Sequence, residues 1–101
     1  MSILRELIDL FLESAPARIV QIEQFASDPV KLEFHAHALK SISLNLGCRN
    51  LVALAQQLEE LGRAGTVQDA MPLVKELDLV FAETRTHLLA LRDEEPARSE
   101  P

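Results

Sequence analysis

Cysteine is nearly missing from this chain: among 101 residues only Cys48 occurs. A single thiol cannot staple a small secreted fold, so the sequence fits a reducing, cytoplasmic setting. Tryptophan and tyrosine are absent, the aromatics amount to four phenylalanines, and three glycines leave little punctuation for hairpins. No β-branched run offsets these absences, which argues against a sheet. No apolar stretch approaches the roughly 18 residues that a spanning helix needs, and no basic segment leads into an apolar one. Neither membrane insertion nor a secretory signal is therefore expected. No Lys/Arg cluster could track a phosphate backbone, and the net charge is −6, so nucleic acid is not an expected partner. There is no Gly-rich phosphate loop and no Ser or Cys on a strand–turn–helix elbow. The chain is accordingly not expected to phosphorylate itself from ATP.

What is present is helix-forming. Hydrophobic residues make up 48% of the chain, enough for one modest core, and Leu, Ala and Glu dominate. Leu4, Ile8, Phe11, Ala15, Ile19, Ile22 and Ala26 recur at steps of three and four, the mark of one helix face. The phase runs straight through Pro16, which predicts one long, kinked helix. Asp28-Pro29 reads as a cap and first position of a second helix, reaching about Leu46 and closed by Gly47. Leu51, Leu54, Leu58 and Leu61 mark a third helix, ending around Gly62 to Gly65. Thr66-Val67-Gln68-Asp69 resembles a capping box with Asp in place of Glu or Gln. Pro72 falls in the first turn of a last helix striped by Leu73, Leu77, Phe81, Thr84, Leu88 and Leu91.

These elements predict an all-α fold, an antiparallel four-helix bundle over residues 1–93, with 94–101 as a disordered tail. The bundle is expected to be monomeric. An amphipathic pattern that begins almost at Met1-Ser2 points to a module excised from a longer protein, though a short natural protein could begin the same way.

Two histidines lie on the second helix. Relative to His37, the residues Leu32, His35, Leu39, Ile42 and Leu46 fall within about 60° of the opposite side and form the expected core stripe. His35 is thus read as a buried or edge histidine. His87 borders the stripe of the last helix and is read as structural. His37 instead shares a face with Phe34, Lys40, Ser41 and Leu44. Phe34 and Leu44 have nothing obvious to bury against there, which makes sense as a docking patch. Neutral imidazole is abundant near pH 7, and its free nitrogen can attack an aspartyl phosphate. Lys40 could neutralise phosphoryl oxygens, and Ser41 is small enough to admit a partner and could donate a hydrogen bond. By pattern alone, an inert surface histidine remains an open reading beside this one. No metal site is expected: on a helix the rings of His35 and His37 point roughly 160° apart, and Cys48 adds no convincing third ligand.

The run His37-Ala38-Leu39-Lys40-Ser41-Ile42-Ser43-Leu44-Asn45-Leu46-Gly47 resembles the signature of histidine-containing phosphotransfer (HPt) domains. The likeness continues through Leu51, Leu54, Leu58-Glu59 and Gly62-Arg63, and more loosely over Phe11-Leu12-Glu13 and Pro16. The resemblance implies a phosphorelay carrier that accepts a phosphoryl group on His37 from a response-regulator receiver domain and passes it to another receiver. It also implies Lys40 as the basic neighbour, Glu59 as a side chain orienting the imidazole, and Arg63 as a basic residue near the site. An ordinary exposed glutamate is the alternative reading of Glu59. No cofactor is implied, since magnesium belongs to the receiver. Ser41 departs from the commoner Gly, and Ile42-Ser43-Leu44 is bulkier than the usual run, so Leu44 could shape partner choice.

Three other readings compete with this one. The dimerisation and phosphoacceptor helices of a sensor kinase usually carry an acidic residue after the histidine; here it is Ala38. The phosphoacceptor domain of a chemotaxis-type histidine kinase shares the fold and nearly the same motif, and an attached ATP-binding domain would identify it. A module that docks on receivers without carrying phosphate would use the same Phe34/Leu44 patch.

Overall fold

A computed structural model describes residues 3–94. It contains α1 (Ile3–Gln24), α2 (Pro29–Asn45), α3 (Arg49–Ala64), a single 3-10 turn (Val67–Asp69) and α4 (Ala70–Glu94). The expected tail from residue 94 onward lies outside the described residues, apart from Glu94, the last residue of α4. α1 runs unbroken past Pro16, although that residue supplies no N–H to the carbonyl four positions back.

The connections follow from local chemistry. Asp28 adopts an extended conformation and its carboxylate accepts a 3.2 Å hydrogen bond from the Lys31 N–H, with Pro29 in the first turn of α2. Gly47 (φ 68°) and Gly65 (φ 77°) occupy the left-handed region after α2 and α3, a conformation glycine adopts without steric cost. The expected capping box at Thr66 does not form: Thr66 precedes the 3-10 turn and makes no side-chain capping bond. An aspartate at position 69 is one methylene shorter than the Glu or Gln of that motif.

The helices pack antiparallel to their neighbours. Ion pairs and ring contacts tie the sequence-distant α1 and α4: Arg92 meets Asp9 at 2.6 Å, and the rings of Phe11 and Phe81 lie 6.1 Å apart. One core takes Ile8, Phe11, Ala15, Ile19 and Ile22 from α1, Leu32, Ala36 and Leu39 from α2, Leu51, Leu54, Ala55 and Leu58 from α3, and Val74, Leu77 and Leu88 from α4. Leu4, assigned to the core from its spacing, is 37% exposed, and Leu61 is only partly buried.

The buried stripe of α2 is also rotated from its expected position. Leu32, Ala36, Leu39 and Ser43 are buried, whereas His35, Ile42 and Leu46 lie at the edge. The reason is the intimacy of α2 with α3, the most extensive helix pairing in the molecule. A Cβ built on Gly62 would stand 2.7 Å from both the Glu33 nitrogen and the Pro29 carbonyl oxygen. Backbones this close require small residues on the facing side, and Ala36 and Ser43 supply them. Among the described residues no helix is long and apolar enough to cross a membrane.

Candidate functional site

His37 lies at the middle of α2 and its side chain is 59% exposed. The α2–α3 contact brings Glu59 beneath it, with only 6% of the glutamate side chain exposed. Glu59 is thus not the solvated helix glutamate that was the alternative reading. Its carboxylate gathers three donors. Nδ1 of His37 lies 2.8 Å from Oε2, Nη2 of Arg63 donates to the same oxygen at 3.1 Å, and Nζ of Lys40 meets Oε1 at 2.7 Å. Arg63 extends the network by donating from Nε to Oε2 of Glu33 at 3.0 Å.

Burial alone would push the Glu59 carboxyl up, but hydrogen bonds from Lys40 and His37, reinforced by their charges, hold it below the ordinary carboxylate value. An ionised carboxylate only accepts, so Nδ1 of His37 carries the hydrogen and donates it. In the neutral ring the lone pair is then on Nε2, the nitrogen not engaged by Glu59.

The depressed value sets a direction for stability. The unfolded glutamate titrates near 4.5 and the folded one lower, so its contribution is full above about pH 4.5 and is lost as pH falls through the folded value. Glu59→Gln removes this titration. The stability gap between wild type and Glu59→Gln, measured by urea unfolding, is therefore expected to narrow as pH drops below about 4.5. A gap constant across that range would show that the carboxylate is not held ionised.

The other residues singled out in the sequence fall as follows. Lys40 is turned onto Glu59, with 20% of its side chain exposed. Ser41 lies beside His37, but its hydroxyl donates at 3.1 Å to the His37 carbonyl of its own helix. Phe34 is 64% and Leu44 57% exposed, one turn before and two turns after His37. His35 is half-buried at the α1–α2 edge, with Nη1 of Arg18 2.8 Å from its Nδ1. His87 is exposed, contrary to its structural reading, in a cleft it shares with Cys48, Arg49, Glu83 and Thr84. It sits one residue from buried Leu88, far enough round the helix to leave the core. Among the described residues no group of three or more His, Cys, Asp or Glu is arranged to hold a metal ion.

Glu33, Arg18 and the packing role of Gly62 were not anticipated. Glu33 is four residues before His37 and Arg63 four after Glu59, so helical spacing places each on the face of its own helix that carries the site, but not their contact across α2 and α3. Arg18 sits on a different helix, at no spacing that points to His35.

The chain matches no curated protein and no solved structure in the corresponding searches. A family model described as Hpt domain matches residues 6–94, nearly all of the described chain. Such domains are the phosphoryl-carrying modules of two-component phosphorelays; they work with receiver domains and are not kinases themselves. The chain belongs to the Hpt domain family.

Proposed function

We propose that His37 is the phosphoacceptor, taking a phosphoryl group from the aspartyl phosphate of one receiver domain and yielding it to the aspartate of another. The observation that carries this reading is the hydrogen bond between Nδ1 of His37 and the buried Glu59 carboxylate on an otherwise exposed ring. It leaves the Nε2 lone pair available to a partner. Nε2 attacks phosphorus, the N–P bond forms as the P–O bond to the aspartate breaks, and the aspartate leaves as a carboxylate. The ring becomes cationic while Nδ1–H stays in place, and Glu59 offsets that positive charge. No proton has to move, so the same groups serve the reverse step. Lys40 and Arg63, held at the carboxylate, supply cations near the incoming oxygens. Phe34 and Leu44 form the apolar rim on which the receiver seats, and Ser41 keeps the approach open.

Incubation with a phosphorylated receiver domain tests this reading. The label should move to the chain, be lost in acid and survive in alkali, and map to His37 in peptides kept alkaline. Label on His35 or His87 would refute the site assignment. Binding of the receiver without any label would favour the docking module instead.

Glu59 is a positioning residue in this scheme. Glu59→Ala is expected to slow transfer about 10-fold to 100-fold, the range that misplacement of a reacting group costs. Glu59→Gln keeps an acceptor for Nδ1–H and should recover part of the rate. Wild-type rates in both variants would remove Glu59 from the mechanism.

A further inference from the structure

Ahead of His37, α1 and the turn that follows it share a stack of rings and cations with α2. The His35 ring lies nearly parallel to Phe25 (centroids 5.6 Å apart, 17° between planes) and edge-on to Phe34 (5.2 Å, 78°). Lys31 caps Phe25 with its ammonium 4.5 Å from the ring centre. Arg18 reaches across from α1, its guanidinium 6.0 Å from the centre of Phe34 and its Nη1 2.8 Å from Nδ1 of His35. A guanidinium can only donate. Nδ1 of His35 therefore accepts, and its hydrogen is on Nε2, the reverse of the tautomer at His37.

We propose that Arg18, held by neutral His35 against Phe34, is a docking residue that binds a carboxylate on the face of the receiver domain presented to His37. This deepens the carrier reading and rests on it. Three observations support it. His35 takes one of the five guanidinium N–H donors, and the fork suits a carboxylate in a way a lysine ammonium does not. Phe34, against which the guanidinium packs, is one of the most exposed large apolar side chains of the molecule and shares the His37 face. The chain as a whole carries a charge of −6, yet Arg18 and Lys31 both sit on this stack, complementary to a partner whose reacting group is itself a carboxylate.

His35 acts through Arg18 as a positioning residue. The charged groups facing it are Arg18 from α1 and Lys31 from its own helix; desolvation by burial, and then these two charges, lower its affinity for a proton. Once protonated, the ring can no longer accept from Arg18 and adds a like charge at contact distance. Docking should therefore hold steady above about pH 6.5, the ordinary imidazole value, and weaken as pH falls below it.

The test uses the full chain and a receiver domain that labels it. Arg18→Ala should raise the half-saturating receiver concentration roughly tenfold, the scale of one charge-assisted hydrogen bond. The loss should fall on half-saturation rather than on the rate at saturation, and Arg18→Lys should restore little. His35→Asn places an oxygen where Nδ1 stood but cannot titrate, so its affinity should match wild type near pH 7.5 and fall less as pH drops from about 6.5 toward about 5. An Arg18→Ala half-saturation equal to wild type overturns the docking role. A His35→Asn pH profile identical to wild type overturns the positioning role. A wild-type chain that takes no label overturns this proposal together with the carrier reading, whereas a labelled wild type with an unmoved Arg18→Ala overturns the docking role alone.

Discussion

His37→Gln is expected to abolish phosphoryl uptake while leaving the bundle folded. Glutamine has no ring nitrogen lone pair to form the N–P bond, so label on the chain should fall to background. The fold should survive because the imidazole is 59% exposed and, among the described residues, its one side-chain hydrogen-bond partner is Glu59. That carboxylate keeps Lys40 and Arg63, so it is not left as an unpaired buried charge. The loss of one hydrogen bond costs about 1–2 kcal/mol, which for a domain of this size lowers Tm by roughly 5–10 °C. Label uptake and a thermal melt on the same preparation check both parts. His87→Gln, an exposed position in a cleft formed by other residues, is the matched control and should take label at the wild-type rate. Residual label on His37→Gln would place the phosphoryl group elsewhere.

Gly62→Ala is expected to be the most damaging small substitution in the molecule. Alanine is ordinarily the better helix residue by about 1 kcal/mol, and Gly62 lies inside α3. Here the new methyl would meet the Glu33 nitrogen and the Pro29 carbonyl oxygen, both at 2.7 Å and both backbone. No side-chain rotation relieves that contact, so α2 and α3 must separate. Overpacking costs about 1–3 kcal/mol, and two contacts to backbone atoms that cannot rotate away put this case in the upper part of that range, so about 1–2 kcal/mol of loss remains after the propensity gain. A Tm lower by roughly 4–16 °C follows. Moving α2 off α3 also draws His37 away from Glu59, so phosphoryl transfer should slow as well. A variant as stable and as fast as wild type would mean that the two backbones are not in contact at Gly62.

Much of this was legible in the sequence because helical periodicity and capping chemistry are local. The course of α1 through Pro16, the Asp28-Pro29 start of α2 and the Gly47 and Gly65 stops follow from neighbours in the chain. His37 was likewise separable from His35 by rotation about one helix. What the sequence did not reveal depends on how helices face one another. The stripe of α2 was expected to run through Leu32, His35, Leu39, Ile42 and Leu46, whereas Ala36 and Ser43 are buried beside Leu32 and Leu39 in the close pairing with α3. The burial of Glu59 has the same origin: it shares the face of Ala55 and Gly62 on α3, and the α2–α3 approach sets it under His37. Lys40 and Ser41 were placed on the correct face, but their atoms bind Glu59 and the helix backbone rather than standing free.

The most direct test of the central claim is a phosphorus–proton–nitrogen NMR correlation on the uniformly nitrogen-labelled chain after phosphorylation by a receiver domain. The expected spectrum couples phosphorus to Nε2 of His37, with the Nδ1 proton retained and its shift altered in Glu59→Gln. Phosphorus coupled to Nδ1 of His37, or to a nitrogen of His35, would contradict it.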